Sequence, residues 1–274
     1  MNFECHCDLL VGGAAWVVGI VLAIAGGPAA EAETIVSLKT PEEAQKALEA
    51  VRAGPKVEAL ATKTFTSADG FKGKYTLYGP LGPDAGRKYP LVLSYGDVGA
   101  DAFRLQEKQR EYPCFVLTIE GGPGPKDMPE DNKRGWKAVT AAMAKEILDK
   151  VLSQHNVDEK RLYVTGMSAG GGVAWTIALS YPETFAAVVP CYATCRELDK
   201  APLLVKHHVA VWIFHGAASN LVRPDQDNGP RAWVAAIEKA GGKPRYTEYK
   251  LLGHTAVGYC EPALWPWLFS QKRP

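Results

Sequence analysis

One short run, RLYVTGMSAGGGVAW from Arg161 to Trp175, constrains this chain more than any other. Tyr163 and Val164 read as a short buried strand, and Ala169 to Ser180 as a helix that ends at Tyr181-Pro182. Between them lies Gly166-x-Ser168-x-Gly170, a turn that lifts a serine hydroxyl above the end of a sheet. Glycine suits both frame positions because the tight turn crowds strand against helix, and a Cβ there would collide. The helix that follows would aim its free N–H groups and positive dipole end at the spot where an oxyanion forms. Ser168 is therefore the candidate nucleophile, with the backbone N–H of Ala169 as a candidate oxyanion donor.

The chain has 274 residues, of which 47% are hydrophobic and 22% charged, enough for one large domain with a sizeable core. Its 31 basic and 30 acidic residues nearly cancel and form no basic stripe, which leaves electrostatic nucleic-acid binding without support. Compact apolar runs at Leu91–Tyr95, Phe115–Ile119, Leu162–Val164, Ala186–Val189 and Val209–Phe214 read as parallel strands covered on both faces, and Tyr246–Tyr249 adds one more. Thr64–Ser67 and Lys74–Tyr78 alternate like an antiparallel hairpin around Asp69-Gly70. Helical patterns separate the runs: Trp136, Val139, Met143, Ile147 and Val151 share one face, as do Trp233, Ala236, Ile237 and Ala240, and Trp265, Trp267 and Leu268 end the chain in a helix. Strands alternating with helices predict an α/β fold with a mostly parallel, doubly wound sheet. Gly121-Gly122-Pro123-Gly124-Pro125 is too proline-rich for a nucleotide loop and opens no helix.

Three segments are expected. Residues 1–32 read as a targeting segment, with an apolar stretch from Leu9 to Ala25 and a small-residue cleavage site at Ala30-x-Ala32. Its leading residues carry Glu4 and Asp8 and no Lys or Arg, an atypical start. The stretch is short for the ~20 residues of a membrane span, so export to the periplasm or medium is favoured over an uncleaved anchor. Residues 33–60 read as an N-terminal helical segment, opened by the capping box Thr40-Pro41-Glu42-Glu43 and stopped by Gly54-Pro55. Residues 61–274 form the main domain. Cys5 and Cys7 belong to the targeting segment. Cys114, Cys191, Cys195 and Cys260 are compatible with two disulfides of undetermined pairing, or with buried free thiols.

A serine needs a base. Of six histidines, His6 lies in the targeting segment and His155 ends a helix. His207 and His208 precede a strand at the wrong end of the sheet, and His215 abuts Gly216 and serves a turn. His254, in Leu252-Gly253-His254-Thr255 after the last strand, fits the chain order serine, acid, histidine and is the candidate base.

Lys88-Tyr89-Pro90-Leu91-Val92-Leu93, the Arg161–Gly172 turn, Tyr181–Pro190, Val211-Trp212-Ile213-Phe214-His215-Gly216 and Gly253-His254 follow in register. Together, over about 62–272, they resemble the α/β-hydrolase superfamily, on the branch of exported esterases related to polyhydroxybutyrate depolymerases and to feruloyl and acetyl xylan esterases. The resemblance implies hydrolysis of carboxylic esters through an acyl-enzyme, with no cofactor and no metal. Two departures stand out. The family pattern His-Gly-x-x-Asp ends here in Ser219, so Asn220, Asp225, Asp227 or Glu197 would have to orient the histidine, or no residue does. The oxyanion loop is Tyr95-Gly96, which resembles the prolyl-oligopeptidase relatives, where a tyrosine hydroxyl helps to hold the oxyanion. The alternative is that Tyr95 packs in the core and backbone N–H groups near Gly96 and Asp97 act with Ala169.

The residues between Val189 and Val209 are too few for a large helical lid. An open cleft, rimmed by the Glu120–Arg134 loop, suits bulky or polymer-linked esters, and Trp175 reads as core rather than as a substrate platform. Two further readings stay open: a serine peptidase, and a non-catalytic binding protein that has lost its acid. A membrane would be met only through an uncleaved N-terminal segment.

Overall fold

The computed structural model describes residues 33–66, 72–121 and 141–274. The targeting segment, the Asp69-Gly70 turn, the Gly121–Pro125 loop beyond Gly121, the rest of the expected cleft rim and the Trp136/Val139 start of the long helix lie outside the described residues.

The chain opens with strand β1 (Glu33–Ser37) and helix α1 (Pro41–Ala53), whose capping box is formed on both sides: Glu43 N–H donates to Thr40 Oγ1 and Thr40 N–H to the Glu43 carboxylate. The segment 33–60 thus contributes a strand as well as a helix, an addition to the expected helix alone. Strands β2 (Ala59–Thr66) and β3 (Lys72–Tyr78) pair antiparallel, as their alternation predicts. Then come β4 (Tyr89–Tyr95), α2 (Asp97–Arg104), α3 (Gln106–Glu111), β5 (Phe115–Gly121), α4 (Ala141–Gln154), β6 (Val157–Met167) and α5 (Ala169–Ser180). Strand β7 (Ala187–Cys191), α6 (Ala201–Lys206), β8 (Ala210–Gly216), α7 (Pro230–Lys239), β9 (Arg245–Tyr249) and α8 (Leu264–Ser270) complete the order.

The nine strands form one sheet in the order β1-β9-β8-β7-β6-β4-β5-β3-β2. From β4 the chain moves outward to β5 and then returns across β4 to β6, so the winding direction reverses there. The carboxyl ends of β4 and β6 flank that reversal, the place where open α/β sheets bind ligands. The middle strands are covered on both faces, which is why they read as unbroken apolar runs: β4 and β7 are buried throughout. Leu91, Leu93, Val164 and Ile213 face the layer of α4 to α7, whereas Val92, Tyr163, Trp212 and Phe214 face α1, α2 and α8. Trp175 on α5 stacks on Trp233 of α7 at 4.2 Å between ring centroids, in the core as expected.

Between β7 and β8 the chain makes only a 3-10 turn (Leu198–Lys200) and the six-residue α6, which packs into the helical layer against α5 and α7. Among the described residues nothing forms a large lid. No described helix is long and apolar enough to cross a membrane. Cys114, Cys191, Cys195 and Cys260 are all free thiols, so of the two readings of the cysteines the structure takes the second. Burial pushes the Cys114 and Cys191 thiols up to about 12, although a hydrogen bond from Gln109 to Cys114 and one from Tyr259 to Cys191 pull the other way.

Candidate active site

Strand β6 runs straight into α5 through Ser168, which sits at φ 55°, ψ −124°. That is a strained conformation for a residue with a Cβ, held by everything around it. Ser168 N–H donates to Cys191 O at 2.8 Å, and Gly172 N–H to Ser168 O at 3.1 Å, so the residue is pinned to the end of β7 and to the first turn of α5. The framing glycines are needed sterically. A Cβ on Gly166 would lie 2.3 Å from Gly170 O, and one on Gly170 would lie 2.6 Å from Tyr95 O. The second contact brings the serine turn against the end of β4.

At that end, Gly96 takes φ 107° and opens α2 without a side-chain cap. The first N–H groups of α2 and of α5 therefore emerge beside each other at the carboxyl edge of the sheet, with Tyr95 registered against Gly166. Tyr95 itself turns toward the α4–α7 layer; its ring is 1% exposed and its hydroxyl is buried without a partner. Burial raises its pKa far above the usual phenol range, so the hydroxyl keeps its proton.

His254 lies in the loop after β9, which is closely tied down. Ala218 N–H donates to Leu252 O at 3.1 Å, Leu252 is buried, and the following 3-10 turn Val257–Cys260 packs against Phe214 and Phe103. Glycine at 216 makes this approach possible, since a Cβ there would lie 2.3 Å from Leu252 O. The His254 ring meets Tyr192 edge-on at 5.4 Å. Tyr192 follows Cys191 at φ 52° and is itself bonded through N–H to Phe214 O. Ser168 is thus bonded to Cys191, and His254 packs on the next residue, Tyr192. Burial lowers the His254 pKa from its ordinary value, and its Nδ1 is buried without a hydrogen-bond partner.

Among the described residues no carboxylate meets that nitrogen. Ser219 is buried, and its Oγ accepts from Val222 N–H at 3.4 Å. Asn220 is exposed. Asp225 is 67% exposed and stands 4.0 Å from Arg223; Asp227 is exposed; Glu197 pairs with Lys200. A buried carboxylate that the sequence reading missed is Glu248 on β9, registered against His215. It is fully occupied: Arg231 grips it with two bonds of 3.0 Å, Tyr246 donates at 2.8 Å and Lys250 at 2.5 Å. Burial opposes the charge on Glu248, yet these donors prevail and hold its carboxyl below the usual range. A glutamate inside the β-forming run Tyr246-Thr247-Glu248-Tyr249, with an arginine on the preceding helix, is the signal that could have found it.

An open cavity of about 460 Å³ adjoins the His254 loop, lined by Ala217–Asn220, Arg223–Asp225 and Arg231. A second, of about 760 Å³, opens at the far end of the sheet around Tyr89, Phe115 and Asn156, away from Ser168. Among the described residues no group of three or more His, Cys, Asp or Glu side chains could hold a metal.

Residues 131–194, which contain the serine turn, match the Esterase PHB depolymerase family. Poly(3-hydroxyalkanoate) depolymerase C of Paucimonas lemoignei is 38% identical over 62 residues, 23% of this chain and 14% of that enzyme. Among solved structures, a thermostable esterase is similar at 27% identity and a TM-score of 0.64, over 78% of this chain and 63% of the esterase. A ferulic acid esterase at 17% identity superposes with a TM-score of 0.55, over 78% of this chain and 98% of that one. The chain thus spans a small part of the depolymerase and just under two thirds of the thermostable esterase. Its fold is that of the α/β-hydrolases.

Proposed function

We propose that the chain is a serine hydrolase of carboxylic esters. Ser168 Oγ attacks the ester carbonyl as His254 Nε2 takes its proton. The alkoxide of the tetrahedral intermediate is held by the N–H of Ala169, with an N–H at the start of α2, after Tyr95-Gly96, as the second donor, since the Tyr95 hydroxyl is buried in the core. The alcohol leaves with the proton from His254, and a water activated by the same histidine releases the acid. The observation that carries this reading is the strained Ser168 between β6 and α5, in the stretch that matches an esterase family.

The short connection between β7 and β8 favours bulky or polymer-linked esters over lipids that need a closed pocket. Cleavage after Ala32 would open the mature chain at Glu33, the first residue of β1, and keep the sheet whole; this supports export. Esters are preferred to peptides because the family match and the solved structure above 25% identity are both esterases.

Labelling with a fluorophosphonate and a screen of ester substrates test the proposal together. Stoichiometric labelling at Ser168, with turnover that disappears in Ser168→Ala, is the expected result. The unpartnered Nδ1 of His254 favours the second reading, a non-catalytic binding protein. A protein that neither labels nor turns over any ester would establish that reading instead.

A further inference from the structure

His215 closes β8 and is completely buried. Its Nε2 lies 2.8 Å from Val222 O. A carbonyl oxygen only accepts, so Nε2 carries the proton, and in a neutral imidazole Nδ1 is then a bare lone pair. That Nδ1 is buried and has no partner. His254 presents the opposite case. To take a proton from serine its Nε2 must be free, so its Nδ1 carries hydrogen, and this nitrogen too is buried without a partner. One ring lacks a donor and the other lacks an acceptor, and leaving either group unpaired costs about 1–3 kcal/mol.

The two rings share one aromatic neighbour. Both pack on Tyr192, His215 stacked at 5.0 Å and His254 edge-on at 5.4 Å. Their backbones touch as well, since Gly216 abuts the carbonyls of Leu252 and Gly253. Complementary unpaired nitrogens thus flank one tyrosine ring.

We infer that His215 is a positioning residue for His254: its Nδ1 lone pair accepts the Nδ1–H of His254 through one ordered water, and so fixes the tautomer and tilt of the base. The inference rests on the serine–histidine reading above. When Ser168 gives its proton to His254 Nε2, the imidazolium keeps its Nδ1–H in the same bond and no proton passes to His215. The groups around His215 agree with this. Glu248 on β9 is neutralised by Arg231 of α7 and by Lys250, and a charge on His254 would disfavour a second one. Burial is the main effect and holds the His215 pKa down to about 4, so the ring is a neutral acceptor wherever His254 works as a base. A neutral acceptor orients but does not balance charge, so its effect should fall below the ~10⁴ in kcat typical of a triad carboxylate.

Two substitutions at one position separate orientation from packing. In His215→Gln the amide can still donate to Val222 O, but no acceptor remains at the Nδ1 position. In His215→Asn the amide oxygen replaces Nδ1, and the bond to Val222 is lost. The expected result is a fall of about 10²-fold in kcat for His215→Gln, with KM within twofold and melting temperature near that of the parent. His215→Asn should melt earlier yet keep kcat within about tenfold. A merely structural histidine gives the reverse order, and that order overturns the inference. Ring-nitrogen ¹⁵N spectra at pH 7 provide a readout without turnover. His254 should appear as the single Nδ1–H tautomer and His215 as Nε2–H, with the His254 tautomers mixing in His215→Gln. A His215 protonated at Nδ1, or a His254 unaffected by the substitution, overturns the inference even in an active enzyme. Absent labelling and turnover defeats the esterase reading by itself, while the spectra still decide the hydrogen bond.

Discussion

The serine turn is bonded to Cys191 and the histidine loop packs on Tyr192, and the two are built in different ways. At the turn every constraint is backbone: Gly166 against Gly170 within the turn, Gly170 against Tyr95 at the end of β4, and Ser168 N–H on Cys191 O at the end of β7. At the loop the fixing contacts come from Tyr192, from the His215–Ala218 end of β8 and from the adjoining 3-10 turn that carries Tyr259. A nucleophile held by backbone admits no substitute. A base held from several parts of the chain can lose one partner and be served by another, the role inferred for His215.

The sharpest break of that contrast is chemical. Ser168→Ala and His254→Ala should each remove about 10⁵–10⁶ in kcat on an activated ester such as p-nitrophenyl acetate, because the pair acts as one unit, and circular dichroism should stay unchanged. In the parent, kcat/KM should fall on the acid side only as pH drops through a value below 6.5, since burial lowers the His254 pKa and the neutral ring is the active form. An acid limb centred above 6.5 would contradict the buried base.

Next comes the turn itself. Gly166→Ala puts a methyl 2.3 Å from Gly170 O, where neither strand nor helix can yield, and should cost about 3 kcal/mol of stability in a urea titration. A variant as stable as the parent would show the crossing to be looser than its geometry.

On the histidine side the buried rings give the fold a pH dependence. The unfolded chain binds protons at His215 below pH 6.5, while the folded chain resists until about 4. Stability is therefore complete above 6.5 and is lost as pH falls toward 4, by about 2 kcal/mol at pH 5 from this residue alone. His215→Gln should abolish that part of the loss, which urea titrations at pH 5 and pH 7 will measure.

The smallest effect sharpens the comparison most. Ser219→Asp offers His254 a carboxylate from the usual direction. With His215 already orienting the ring, kcat should rise only about tenfold and KM should stay level; an aspartate that lowers kcat would indicate that the two acceptors compete.

The sequence made the serine turn readable because its requirements are met within five residues. It also made the strands readable, since burial on both faces erases polar alternation in β4 and β7. Helices α2, α3 and α6 were missed: α3, QEKQRE, carries no apolar stripe, and the other two are at most eight residues long. Strand β1 was hidden as well, because Val36 and Leu38 remain exposed and its pairing partner lies more than 200 residues away. His254 could be picked out by chain order. His215 read as a turn residue, because the property that distinguishes it, a tautomer fixed by Val222 O, arises only once the 217–222 loop folds back over it.

Strand β1 is also a seal. It pairs in parallel with β9 over its whole length, Lys250 N–H continues the ladder to Ser37 O, and Lys39 holds Glu261 at 2.8 Å, just beyond the loop of His254. Trimming the chain past Ser37 would leave β9 as a bare edge, a ready template for a second copy, and loosen the same loop. Size-exclusion chromatography of such a trimmed chain should show oligomers, whereas a chain starting at Glu33 should not. Where a protease cuts thus bears on whether this edge of the sheet stays closed.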